Sequence, residues 1–183
     1  RTPEKARFLQ DAGFSQLVLP RELTLTEIAA YRAVTSVPLE AFVHGALCVS
    51  YSGDCQASYL LTGRSANRGD CAQICRYAYD LEDAGGNKLL RNKHLLSLKD
   101  MKRVDSLTWM LEAGVSSFKI EGRLKDENYV RNVVAAYSLA LDKIVNAHPD
   151  RYKRASRGRV IYNFTPDLDK SFNRGYTEYF LKQ

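Results

Sequence analysis

The sequence predicts an α/β fold assembled from parallel β/α units, and three observations carry that prediction. Helical and strand-like patterns alternate along the chain, and the connections between the early elements are short. A long apolar-striped helix follows the last strand candidate and must lie on a large surface. Three strand candidates cannot close a barrel, which takes eight strands and about 250 residues. As part of a (β/α)8 TIM-like barrel, the chain would supply the carboxy-terminal half, interrupted by a cysteine-rich insertion and a β-hairpin. The expected organisation is a partial barrel over residues 1–147 that contains the cysteine segment 40–79. Residues 148–183 read as a basic linker and an aromatic extension leading to a further module.

The elements follow from local chemistry. In PEKARFLQDA, Pro3 to Ala12, the apolar residues Ala6, Phe8, Leu9 and Ala12 share one helical face, and Gly13 is a stop. The short apolar run Ser15 to Pro20 has strand length. Thr24 and Glu27 form a capping-box pattern that starts a helix running to about Val34. Residues 38–46 return to strand character and deliver the chain to Cys48. Tyr77 to Glu82 and Lys88 to Arg91 flank AGGN as a β-hairpin. Leu98 to Ala113 reads as helix, with Met101, Val104, Leu107, Met110 and Leu111 at helical spacing. Residues 116–121 form the third strand. Asp126 then opens a helix to about Asn146, striped by Val130, Val133, Val134, Tyr137, Leu141, Ile144 and Val145.

All four cysteines, Cys48, Cys55, Cys71 and Cys75, fall in the order C-x6-C-x15-C-x3-C. Such confinement is what a tetrahedral zinc or an iron–sulfur cluster requires, each metal position being matched by a thiolate. Two disulfides are the other reading of an even count, although they belong to domains too small to build a core. Zinc ribbons take their ligands as two close pairs, and only Cys71 and Cys75 make one. A cubane cluster tolerates irregular loop spacing, and Gly45, Gly53, Gly63 and Gly69 would let backbone approach it.

Composition sets limits on function. A hydrophobic share of 45% with 26% charged residues describes a globular chain with a sizeable core. No run of 18 apolar residues occurs, so no membrane span is expected; the first 20 residues hold no signal-peptide core, and a cytoplasmic location is the expectation. Arg1 opens directly into a helical pattern with no starting methionine, which suggests a piece of a longer chain. The 27 basic and 21 acidic residues leave a net charge of +6, and the first 47 residues are balanced at five of each. The excess therefore lies at and after the cysteines, in Arg64, Arg68 and Arg76 and in the run Arg151 to Arg159. A basic surface of this kind fits RNA, with those three arginines as phosphate ligands, and equally a solvated face.

Within the third strand, FKIEGR places Lys119, Glu121 and Arg123 on one side by strand alternation. Three charges at a strand's carboxyl end would be paired in a network or engaged with a ligand, and catalytic residues of barrels collect there. His44, near another strand end, is a further catalytic candidate, although a lone histidine is more often a satisfied structural group. Neither an HExxH zinc motif nor a G-x-S-x-G elbow is present.

The stretch EAFVHGALCVSYSGDCQAS resembles the signature of the collagenase-like peptidase family U32. The matching positions are Glu40, Phe42, Gly45, Ala46, Leu47, Cys48, Gly53, Cys55 and Ser58, with Ala57 standing where the family has a larger aliphatic residue. Similarity continues through NRGDCAQICR, LLSLKDM, FKIEGRLK and FNRGYTEYFL, so it covers nearly the whole chain. The resemblance implies the RNA-hydroxylation branch, with the FNRGYTEYFL end closer to the longer ribosomal-RNA type than to the tRNA type. It further implies a 4Fe-4S cluster on Cys48, Cys55, Cys71 and Cys75, with zinc as the alternative, and prephenate as a co-substrate. Ribosomal RNA or tRNA is then the partner, and the amino-terminal half of the barrel lies outside this chain. Lys119, Glu121 and Arg123 would bind and polarise a carboxylate-bearing donor. Two other functions stay open: a collagenase-like peptidase, as the family name implies, and a structural metal-binding module.

Overall fold

A computed structural model describes residues 2–183. In chain order the elements are α1 (Pro3–Asp11), β1 (Leu17–Val18), α2 (Leu25–Val34), β2 (Leu39–Gly45) and α3 (Ala57–Thr62). Next come β3 (Tyr79–Glu82), β4 (Lys88–Lys93), β5 (Asp100–Lys102), α4 (Leu107–Glu112), β6 (Val115–Ile120), α5 (Glu127–Ala147) and β7 (Tyr176–Thr177). The described residues divide into two compact units, one made of residues 2–46 and 100–183 and the other of residues 47–99.

The first unit is a mixed sheet carrying helices. β2 is its centre: β6 runs parallel along its whole length, pairing Leu39 with Val115 and His44 with Ile120. The other edge is shared, β1 lying parallel at Leu39 and Glu40 and β5 antiparallel at His44 and Gly45. β7 then extends the sheet parallel to β5. The period-2 pattern of β2 explains its placement, because Leu39, Ala41 and Val43 go to the core while Glu40 and Phe42 stay half-buried on the opposite face. The core those residues enter includes Ile28, Tyr31, Leu107, Met110, Val133, Leu168 and Leu181.

Helix starts behave as their sequences dictate. The Thr24 hydroxyl accepts from the Glu27 N–H at 3.2 Å while the Glu27 carboxylate accepts from the Thr24 N–H at 2.8 Å, closing the capping box of α2. Asp126 accepts from the Tyr129 N–H at 2.8 Å and so caps α5, which runs for 21 residues.

One expected helix is corrected. Leu98 to Ala113 is not continuous helix: Asp100–Lys102 is strand β5, and α4 begins only at Leu107. The Arg103 side chain explains the change. It is 2% exposed, and its guanidinium donates to the Glu178, Phe42 and Arg21 carbonyls at 3.1, 3.2 and 3.1 Å. Extended backbone before Arg103 is what aims that fork into the sheet's end, so tertiary hydrogen bonding overrides helical spacing. The aromatic stretch near the end of the chain supplies β7 and the core residue Leu181 to this unit.

The second unit holds the β3–β4 hairpin, antiparallel as expected, together with α3 and all four cysteines. Asp83 organises the hairpin turn by accepting from the Gly85 and Asn87 N–H groups at 2.8 and 2.9 Å.

Candidate functional site

Along one face of the parallel strands β1, β2 and β6, and just beyond the carboxyl ends of β1 and β6, the first unit gathers charge around one aromatic ring. The Arg21 guanidinium carbon stands 3.8 Å from the Phe42 ring centroid, and the Lys119 ammonium stands 5.3 Å from it. Glu40 accepts from the Gln16 amide and from the Ser117 hydroxyl, both at 2.8 Å, and pairs with Lys119 at 3.3 Å. Glu121 faces Arg21 at 3.9 Å and accepts from the Arg123 N–H at 3.0 Å. β6 ends at Ile120, so Glu121 and Arg123 lie beyond the strand, and the Arg123 side chain has no ion-pair partner among the described residues.

Alternation along β2 puts His44 two residues past Phe42, and there the surroundings change from wet to dry. His44 is 1% exposed, ringed by Tyr129, Tyr137 and Tyr176 at centroid distances of 6.0, 5.5 and 5.7 Å. Burial takes its pKa down to about 4, with Lys102 and Lys125 pushing the same way and Asp100 opposing them. Burial likewise raises the Tyr129 phenol to about 12, so that it is a donor and not a base. Asp100, itself 3% exposed, accepts from the Arg174 N–H at 2.9 Å and from its guanidinium at 3.2 Å.

In the second unit the four cysteines are free and half-buried. Each ligand loop is braced by side chains. The Asn67 amide clasps the backbone of Cys55, accepting from its N–H at 2.9 Å and donating to its carbonyl at 3.2 Å. Ser58, fully buried, donates to the Arg64 carbonyl at 2.7 Å and accepts from the Ala72 N–H at 3.1 Å, which holds the chain beside Cys71. The Cys71 sulfur accepts from the Gln73 N–H at 3.3 Å, with Gln73 in the left-handed region at φ 56°. Burial pushes the Cys75 thiol up, Arg76 opposes, and Cys48 and Cys71 push it further.

The donor set has the right chemistry for a thiolate-held cluster or ion: four reduced thiols on loops, with a backbone N–H already directed at one sulfur. Among the described residues no group of three or more His, Cys, Asp or Glu side chains stands ready-made to hold a metal ion.

The structure distributes the expected residues as follows. Lys119 and Glu121 lie close together on the first unit, each paired with a residue from another segment. Sequence reading missed those partners, Glu40 and Arg21, because strand pairing creates the proximity; the signals for Glu40 are its place in the EAFVHGALC stretch and on the same strand face as Phe42. Of the three expected RNA-binding arginines, Arg64 is tied to Asp70 at 2.9 Å and to the Cys71 carbonyl at 3.3 Å. Arg76 donates to the Leu47 carbonyl and, at 2.8 Å, to the Ser97 hydroxyl. Both bond to the cysteine segment, Arg64 from an exposed position and Arg76 half-buried. Arg68 alone makes no such side-chain bond among the described residues.

Comparison with known proteins places this geometry in context. The family model for peptidase family U32 matches residues 1–183. The chain is 51% identical over 181 residues to the 23S rRNA 5-hydroxycytidine C2501 synthase of Escherichia coli, which covers 99% of this chain and 28% of that relative. It is 34% identical to the tRNA hydroxylation protein P1 of Bacillus subtilis, over 92% of this chain and 40% of the relative. A collagenase of Porphyromonas gingivalis is 40% identical over 80% of this chain and 39% of its own length. The chain thus spans less than half the length of each of these relatives, and no solved structure matches it. With the family model satisfied from end to end, the chain belongs to peptidase family U32.

Proposed function

We propose that this chain is the cysteine-bearing part of a protein that hydroxylates a pyrimidine in RNA, ribosomal RNA before tRNA. The observation that carries the reading is the 51% identity, over 99% of the chain, to the Escherichia coli protein named for 5-hydroxycytidine synthesis in 23S rRNA. Relatives named tRNA hydroxylation protein point to the same chemistry on another RNA. In this reading the parallel strands β1, β2 and β6 belong to a (β/α)8 barrel completed elsewhere, and the protein works in the cytoplasm, where its RNA is found. Among the described residues no helix is long and apolar enough to cross a membrane.

Cys48, Cys55, Cys71 and Cys75 would hold a 4Fe-4S cluster. When bound, such a cluster supplies one-electron redox chemistry or a Lewis-acidic iron. The chain's own residues do the rest. Phe42, with the Arg21 guanidinium and the Lys119 ammonium close to its ring, is an apolar group beside positive charge, suited to a carboxylate-bearing ring such as prephenate. Lys119 holds the donor's carboxylate by leaving Glu40, which keeps its bonds to Gln16 and Ser117. Glu121, steadied by Arg21 and by the Arg123 N–H, is the group placed to take up a proton. Arg123 and Arg68 add positive charge for the substrate's phosphates. His44, neutral and enclosed, keeps the β2 end dry.

The relatives named collagenase favour a second reading, a collagen-directed hydrolase. One experiment separates the two: mass spectrometry of nucleosides from the RNA of a deletion strain, complemented with wild type or with Cys71→Ser. Loss of a hydroxylated pyrimidine, restored by wild type and not by the variant, supports RNA hydroxylation. An unchanged nucleoside profile, with gelatin cleavage lost in Glu121→Gln and kept in Cys71→Ser, would establish the hydrolase instead.

A further inference from the structure

We propose that Phe172, with Lys125 and Arg174, is a stacking platform for one unpaired nucleotide base of the RNA substrate; the inference rests on the RNA reading above. Phe172 is 59% exposed on a backbone held by several side-chain hydrogen bonds. Asn132 of α5 donates to the Asp167 carbonyl and to the Ser171 hydroxyl, both at 2.6 Å, and accepts from the Asp167 N–H at 2.9 Å. Asn173 on the other side donates to the Ser171 carbonyl and accepts from the Gly175 N–H, each at 2.9 Å. The ring therefore stands out from a pinned turn and gains nothing from the core.

Two cations flank it. The Lys125 ammonium lies 3.8 Å from the Phe172 centroid and 5.1 Å from that of Tyr129, and the Arg174 guanidinium carbon lies 4.9 Å from Phe172. Arg174 is already neutralised by buried Asp100, so it contributes a flat guanidinium surface more than a charge. Lys125 sits just before the amino end of α5, beside Leu124 at φ 61°, and is the cation placed for a phosphate. An exposed ring next to one phosphate-directed cation and one guanidinium plane is what single-stranded nucleic acid uses, since every base has a π-face. Duplex RNA keeps its bases stacked internally and offers this ring nothing. An acidic peptide would engage Lys125 but leave the ring unused.

The test uses the full-length protein and a short fluorescein-labelled single-stranded RNA, with affinity read by anisotropy over a range of salt. Phe172→Ala should weaken binding by about 5- to 150-fold, the range for losing one stacked base, with the salt slope unchanged. Phe172→Trp should retain the affinity. Lys125→Gln should lower the salt slope by about 0.7, the value for one phosphate contact on a single strand. Thermal unfolding of each variant checks that the exposed positions leave the fold intact. Wild-type affinity in Phe172→Ala would overturn the platform, and so would an equal loss for duplex RNA or equal competition by polyglutamate. The nucleoside profile of the deletion strain is read separately: if the modification is lost there while Phe172→Ala binds normally, the RNA function stands and the platform falls.

Discussion

His44 Nδ1 lies 3.3 Å from the Tyr137 hydroxyl oxygen, and this contact sets which ring nitrogen carries the proton. The Tyr137 hydroxyl has one proton, which it donates to the Val43 carbonyl at 2.7 Å, while it accepts from the Arg103 N–H at 3.0 Å. Only its second lone pair is left for His44, so Nδ1 is the donor and Nε2 carries the lone pair. The charged groups felt by the ring come from two packed elements: Asp100 and Lys102 on β5, and Lys125 before α5.

A pH dependence follows. With the folded pKa near 4 and the unfolded value near 6.5, the unfolded chain binds more protons between those values. The contribution is therefore complete above about pH 6.5 and is lost as pH falls toward about 4, on the order of 3 kcal/mol in all. His44→Asn keeps a donor near the Nδ1 position and does not titrate. Unfolding free energies from urea titrations at about pH 7.5 and about pH 5 should differ by roughly 2 kcal/mol more in wild type than in the variant. Parallel pH profiles would show that the ring titrates in the folded protein as it does in water.

Arg103 is the second test of the same sheet end. Its three carbonyl acceptors come from the segment after β1, from β2 and from the segment after β7, so one side chain ties three stretches of chain together. Burial brings its pKa down to about 10, and it remains charged. Lysine has no planar fork and cannot serve all three acceptors. Arg103→Lys should lower unfolding free energy by about 3 kcal/mol or more, read by urea denaturation. A loss under about 1 kcal/mol would mean that the carbonyls find other donors.

These two residues also mark what was legible in the sequence. Helix starts, the hairpin and the course of α5 could be read because their causes are local: Thr24 and Glu27, Asp126, and the AGGN turn. β5 could not, because Met101, Val104 and Leu107 fit a helical period, and the forces that extend Asp100–Lys102 come from Phe42, Arg21 and Glu178. The same holds for the candidate site. The cysteine set and the Lys119–Glu121 pair were visible as residue types, whereas Glu40 and Arg21 became their partners only through strand pairing. Arg64 and Arg76 looked like free cations because the loop folding that brings them to Asp70 and the Cys71 carbonyl, and to Ser97 and the Leu47 carbonyl, leaves no periodic signature in the sequence.

Gly45 joins fold and site. It adopts φ 102°, and a Cβ there would overlap the Glu121 carbonyl oxygen, whose residue also donates its N–H to the His44 carbonyl at 2.8 Å. Gly45→Ala must therefore displace Glu121 as well as strain the backbone. Gly13 is the control, at φ 95° with open space where its Cβ would point. Gly13→Ala should cost about 1 kcal/mol from strain alone, and Gly45→Ala about 3 kcal/mol. Gly45→Ala should also lose hydroxylated nucleoside in cells even at a temperature where it stays folded. Equal behaviour of the two variants would remove Glu121 from the argument.

The cysteines give the sharpest test because the competing occupants differ in colour and stoichiometry. Full-length protein purified without oxygen should be brown, with about four irons and about four sulfides per chain. Cys48→Ser, Cys55→Ser, Cys71→Ser and Cys75→Ser should each lose most of that iron, since an alkoxide is a poor substitute for a thiolate on a soft metal. Cys55 is the discriminating position. Its backbone is held by the Asn67 amide, independently of any contact with another sulfur. If Cys55→Ser keeps a full complement of iron while the other three lose theirs, the cluster has three protein ligands and one open iron. A colourless protein with one zinc, lost in all four variants, would instead make the cysteine unit a structural module, and the hydroxylation chemistry would have to be sought in another part of the protein.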